Sequence, residues 1–124
     1  YQKTLALNPN ERKGNFGMGY CLNATGKFAD AIDYLKKAVE NQKDYVAAYV
    51  ELGYSYYKIS YYKDALANLN KAISLNPKNE NGRYYACLVY ISLGEKSNAQ
   101  RMVDELKGLS SRHAAGLQEK VNKM

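Results

Sequence analysis

Apolar and small residues recur three and four positions apart along most of this chain, with polar residues filling the gaps. In YVAAYVELGYSYYKIS they fall at Tyr49, Leu52, Gly53 and Tyr56, a spacing that gathers side chains on one face of an α-helix. The next stretch, SYYKDALANLNKAISLNP, places Ala65, Leu69, Ala72 and Ile73 in the same way. The pattern predicts helix pairs over 12–25 with 28–41, 46–59 with 62–75, and 80–93 with 96–107, with Gly26, Ser60 and Gly94 in the turns. Gly53 and Ala65 fall where the two helices of one hairpin come closest, because a larger side chain there would hold them apart.

The chain also repeats itself. Shifted by 34 positions, Leu35 lands on Leu69, Lys37 on Lys71, Ala38 on Ala72 and Val39 on Ile73. The opening joins the same ladder, with Tyr1 below Leu35 and Lys3 below Lys37. LALNPN at the start therefore echoes ISLNPK two periods later, and Pro9 matches Pro77. A fixed period of this length is the mark of stacked structural repeats.

Residues 46–79 read Y-x2-L-G-x2-Y at Tyr49, Leu52, Gly53 and Tyr56, then A-x3-L-x2-A at Ala65, Leu69 and Ala72, and close at Pro77. This resembles the tetratricopeptide repeat. The preceding period has Met18, Gly19 and Leu22, then Ala31, Leu35 and Ala38, but departs at Asn15 and Lys43. The following one has Ala86, Cys87 and Tyr90, then Ala99, Val103 and Leu106, with Arg83 in place of the first aromatic. The resemblance implies an all-α fold, a right-handed superhelical solenoid of antiparallel helix hairpins forming one domain. Repeats are expected at 12–45, 46–79 and 80–108. Residues 1–11 are expected to hold the second helix of a truncated repeat, and 109–124 a capping helix with Ala114, Leu117, Val121 and Met124 on its covered face. Ser110 or Ser111 can cap that helix. The N-terminal end, lacking its hairpin partner, is expected to fray or to be covered by a second copy of the chain.

In the resembling family the first helices of the hairpins build a concave wall that holds peptides or a partner's helix. The register puts Lys13, Phe16, Gly17, Tyr20 and Asn23 on that wall from the first repeat. The second contributes Val50, Glu51, Tyr54, Tyr57 and Lys58, and the third Asn81, Tyr84, Tyr85, Leu88 and Ile91. Tyr54 and Tyr57 are expected to be exposed, whereas Phe16 and Tyr85 could equally pack between helices. A strip of Tyr54, Tyr57, Tyr84 and Leu88 is the expected binding surface. The family's carboxylate clamp, which takes Lys and Asn, then Asn, then Lys and Arg, would fall on Phe16, Tyr20, Glu51, Asn81 and Tyr85. None of these matches, and Glu51 would repel a terminal carboxylate.

Composition narrows the function further. Tyrosine supplies 13 aromatics against two Phe and no Trp, which suits half-buried binding faces better than a dry core. The net charge is +6, but the basic residues are scattered, with Arg12-Lys13 and Lys36-Lys37 the only adjacent pairs, so a nucleic-acid partner is not expected. No apolar run is long enough for membrane insertion. Cys21 and Cys87 stand far apart, with no C-x-x-C, and are expected to be free, buried thiols; no metal or other cofactor is implied. His113 is the single histidine, expected at the surface, so a nucleophile–histidine pair has nothing to build on. Asp104 and Glu105 point in different directions from their helix and make a poor acid–base pair. Asn23-Ala24-Thr25 matches the glycosylation pattern by a three-residue coincidence. These readings favour a non-catalytic adaptor for a protein or peptide partner over an assembly scaffold working end to end or through convex faces.

Overall fold

The computed structural model describes the backbone of residues 11–124 and the side chains from Gly14 onward. The truncated repeat expected at the N-terminus, and the contact expected there with a second copy, lie outside the described residues. Among the described residues seven helices follow one another: α1 (Glu11–Ala24), α2 (Phe28–Asn41), α3 (Val46–Lys58), α4 (Tyr62–Leu75), α5 (Glu80–Leu93), α6 (Lys96–Gly108) and α7 (His113–Asn122). No strand occurs among the described residues. The first six helices begin and end within one residue of the spans that the apolar spacing predicts.

Each hairpin turn is closed by one local device. The amides of Lys27, Tyr61 and Glu95 donate to the carbonyls of Leu22, Tyr56 and Tyr90 at 2.8–2.9 Å, five residues back. That bond needs a left-handed residue in the turn, supplied by Gly26 (φ 83°), Ser60 (φ 66°) and Gly94 (φ 74°). Ser60 carries a side chain where its two counterparts do not. The same device recurs after α6, where Ser111 donates to the Leu106 carbonyl at 2.9 Å and Ser110 has φ 57°.

Within a hairpin the helices meet at small residues. A side-chain carbon added at Gly53 would fall on the Leu69 side chain, and one at Gly19 on Leu35, the same collision one period earlier. Leu35, Ala65 and Leu69 are fully buried as a result. Burial of such a leucine contributes roughly 2 kcal/mol. Between hairpins, α2 packs on α3, α4 on α5 and α6 on α7. The first helices also touch one another, α1 to α3, α3 to α5 and α5 to α7, whereas α2, α4 and α6 make no contact among themselves. That asymmetry curves the stack and puts α1, α3 and α5 on its inner wall.

Helix α7 continues the inner row and covers the last hairpin with Ala114, Leu117 and Val121, all buried. Met124, expected on that face, is 38% exposed because the helix ends before reaching it. The Ser111 hydroxyl accepts from the His113 amide at 3.2 Å and caps the helix start. Both cysteines are free. Cys87 is fully buried, and burial pushes its thiol up to about 11. Cys21 departs from expectation: it is exposed, since Gly19 and Leu22 rather than Cys21 take the inward positions of α1.

Candidate functional site on the inner wall

Three first helices bring three tyrosines together. Tyr54 of α3 meets Tyr85 of α5 with ring centroids 5.0 Å apart, and stands edge-on to Phe28 at 5.8 Å. The aromatic row continues from Tyr85 to Tyr84 (5.3 Å) and from Tyr84 to His113 (4.9 Å). On the other side, Tyr20 packs on Phe16, and Phe16 on Tyr45. Between Tyr20 and the Tyr54–Tyr85 pair lies an open cavity of about 220 Å³, lined also by Asn23, Ala24 and Glu51.

Glu51 is held from below. The Asn23 carboxamide donates to Glu51 Oε1 at 3.0 Å and to the Glu51 carbonyl at 3.2 Å. The Ser55 hydroxyl donates to Asn23 Oδ1 at 2.6 Å, with the Glu51 carbonyl 3.0 Å away. Burial raises the Glu51 carboxyl above its ordinary value, against the opposing pull of the Asn23 hydrogen bond. Burial also raises the Tyr85 hydroxyl, helped by the nearby charge of Glu51 and then by Tyr54, Tyr84 and Tyr20. One carboxylate therefore faces a ring of phenols.

The comparisons agree with this architecture. Two family models, both described as tetratricopeptide repeat, match residues 1–46 and 46–79. The chain belongs to the tetratricopeptide-repeat (TPR) family. It superposes on the crystal structure of MamA with a TM-score of 0.84 and 27% identity, covering 99% of this chain and 79% of that one. The TPR2B domain of yeast Sti1, in complex with pHsp70, gives 0.86 and 16% identity, covering 90% and 96%. The first TPR of Spaghetti (RPAP3), bound to the HSP90 peptide SRMEEVD, gives 0.84 and 16%, covering 90% of each chain. No curated protein matches the sequence.

Not every residue that the TPR register assigns to the wall is free there. Val50 is 5% exposed and closed into the packing of α3, and Asn23, also 5% exposed, is consumed by Glu51 and Ser55. Phe16, Tyr57, Tyr84, Leu88 and Ile91 are half-buried against the core; Tyr57 turns towards Tyr62 of its own hairpin at 6.2 Å rather than towards Tyr54's neighbours. Tyr54 is half-buried too, but against rings that face the cavity. Gly17 is half-buried, and Lys58 is exposed with its ammonium 5.8 Å from the Phe28 ring. Asn81 is exposed but lines a different, polar hollow with Lys78, Arg112 and His113. The side chain of Lys13 lies outside those described.

Several candidate chemistries also find their place. Asn23 of the glycosylation pattern is buried in a helix, and Thr25 spends its hydroxyl on the carbonyls of Cys21 and Leu22. His113 is half-buried against Tyr84 rather than free at the surface. Glu105 pairs with Arg83, whose Nε donates to Glu105 Oε1 at 2.8 Å. Among the described residues no cluster of three His, Cys, Asp or Glu side chains could hold a metal, and no helix is long and apolar enough to cross a membrane.

Proposed function

We propose that this chain is a non-catalytic protein-interaction module that receives a segment of a partner protein along its first-helix wall. The observation that carries this reading is the cavity rimmed by tyrosines from three successive first helices. A tyrosine ring buries much area for little loss of side-chain freedom, and its hydroxyl can bond a peptide backbone. Tyr20 keeps 54% of its surface exposed on an inner wall, which leaves apolar area for a ligand to cover. The HSP90 peptide on Spaghetti and the pHsp70 complex of Sti1 support a peptide as the class of ligand. The position of Glu51 argues against a terminal carboxylate and for an extended or helical segment with apolar anchors.

Panning a random peptide library on the chain tests the reading, followed by calorimetry of the enriched peptides. Peptides that bind the wild type should lose more than tenfold in affinity with Tyr54→Ala/Tyr85→Ala, the scale of an interface hot spot. A thermal melt checks that the variant folds. Binding that survives the wall substitutions but is lost on changing Lys36 and Lys71 of the second helices would transfer the function to the convex face and favour an assembly scaffold.

A further inference from the structure

The inner-wall cavity has a polarity opposite to that of the chain around it. The molecule carries a net charge of +6, yet the one charged group lining the cavity is the Glu51 carboxylate. Asn23 occupies its Oε1, and Oε2 has no hydrogen-bond partner among the described residues. Nor has Glu51 a cation: Arg83–Glu105 is the only ion pair among the described residues, and Lys58 is turned towards Phe28. Among the described residues no fully buried polar side-chain atom lacks a partner, so Oε2 is not fully buried. The same cavity is lined by Tyr20, Tyr54 and Tyr85, and the faces of such rings carry partial negative charge.

An anion framed by aromatic faces attracts a cation with an apolar stem, since the rings cover the methylenes while the carboxylate meets the charge. The volume of about 220 Å³ equals that of roughly seven waters at ~30 Å³ each, room for one long side chain. We infer that the cavity between Tyr20, Glu51, Tyr54 and Tyr85 takes a lysine or arginine side chain of the bound segment. Its charged head lies against Glu51 and its stem along the tyrosine rings. This rests on the wall reading above and names the chemistry of one subsite within it.

Three small probes test it without knowledge of the partner: the Nα-acetyl amides of lysine, norleucine and glutamate, titrated against isotopically labelled protein by NMR. The lysine compound should shift the Glu51 amide and the Tyr20, Tyr54 and Tyr85 ring signals, with an affinity about tenfold above that of norleucine. The glutamate compound should not shift them. Glu51→Gln keeps an acceptor for Asn23 and removes only the charge, so it should reduce the lysine preference to that of norleucine. Glu51→Lys should reverse the order in favour of glutamate.

Equal shifts from lysine and norleucine, or an unchanged lysine preference in a folded Glu51→Gln protein, would overturn the inference. The peptide panning separates the two readings. Enriched peptides that need Tyr54 and Tyr85 but carry no basic residue, and that ignore Glu51→Gln, would keep the interaction module and remove the cationic subsite. Failure of the tyrosine substitutions to affect any peptide would remove both.

Discussion

The buried carboxamide of Asn23 donates to Glu51 Oε1 across 3.0 Å and so ties the first helix of one repeat to the first helix of the next. The oxygen of the same carboxamide accepts a hydrogen bond from the Ser55 hydroxyl at 2.6 Å. Asn23 thus fixes both the spacing of α1 and α3 and the orientation of the only carboxylate in the inner-wall cavity.

Replacing Asn23 with Ala should destabilise the fold by about 1–3 kcal/mol, because it strips Glu51 Oε1 of its partner and leaves the Ser55 hydroxyl only the Glu51 carbonyl of its own helix. In a double-mutant cycle with Ser55→Ala, measured by urea unfolding, the two losses should be strongly non-additive. Additive losses would mean that the pair acts independently and that the network does not hold the repeats in register.

Arg83 stands where the repeat pattern usually has an aromatic, and the structure shows what it does there. It is 9% exposed; its guanidinium pairs with Glu105 of α6 and bonds the carbonyls of Pro77 and Asn79, joining the inter-repeat loop to the last hairpin. Arg83→Ala should cost about 2–4 kcal/mol, since it removes the packing and strands Glu105 and two carbonyls. Glu105→Gln, which keeps an acceptor at a more exposed site, should cost about 1 kcal/mol. Urea midpoints of the two variants give the comparison; equal losses would show that the loop carbonyls contribute nothing.

The helices, the turns and the close approach of the hairpin helices at Gly53 were legible because they depend on period alone, whereas the leucine that fills each contact, Leu69 at Gly53 and Leu35 at Gly19, was not expected. The wall was only partly legible. Tyr20, Glu51, Tyr54 and Tyr85 belong to it by register, but their convergence on one cavity depends on how far each repeat rotates over the last. Asn23 and Val50 share that register and yet are buried, because a residue at the edge of the wall opens or closes with the local helix spacing. Asn23 did carry a signal, a polar side chain on the wall side of α1 in reach of Glu51 and Ser55. Its partners 28 and 32 residues on are offset from the 34-residue period, so a ladder search passes over them.

Ser60 holds a left-handed φ of 66° in the turn where Gly26 and Gly94 stand one period away on either side. A side chain in that region costs roughly 1–2 kcal/mol, and the added freedom of glycine in the unfolded chain gives back about 0.5–1. Ser60→Gly should therefore raise stability by about 0.5–1 kcal/mol, read as a higher melting temperature. A lower one would show that the contact of the Tyr62 hydroxyl with Ser60 Oγ at 3.4 Å matters more than the strain.

The two thiols should differ sharply in reactivity. Cys21 is exposed, whereas Cys87 is fully buried, with its Sγ 3.5 Å from the Ala99 carbonyl and its ionisation pushed up to about 11. A disulfide reagent at pH 8 should modify Cys21 in the folded protein and reach Cys87 only after denaturation. Two equally fast thiols in the native state would mean that α5 opens readily, against the packing of Cys87 in the core.

Glu51 gives stability an unusual slope with pH. Most carboxylates in folded proteins are stabilised as anions and lose that contribution on acidification. Burial raises Glu51 above its ordinary value of 4.5, so in the window just above that value the folded protein binds a proton that the unfolded chain has released. The Glu51 contribution to stability therefore falls as pH rises through this window, and above it the folded state carries the full cost of the half-buried charge. Below the ordinary value both states are protonated and the cost vanishes. Glu51 shares its cavity with Tyr20 and Asn23 of α1, Tyr85 of α5 and Tyr54 of its own helix, and no second carboxylate and no cationic side chain lines it. Glu51→Gln should consequently gain on the wild type between pH 4 and pH 7, measured as the difference in urea midpoint at each pH. A cation bound in the cavity supplies the missing partner, so a lysine-bearing ligand should bind more tightly at pH 7 than at pH 4 and should narrow the gap to the Gln variant. A difference in midpoint that stays constant with pH would show that Glu51 is solvated like a surface carboxylate, and that the folded protein has no charge deficit for a ligand to fill.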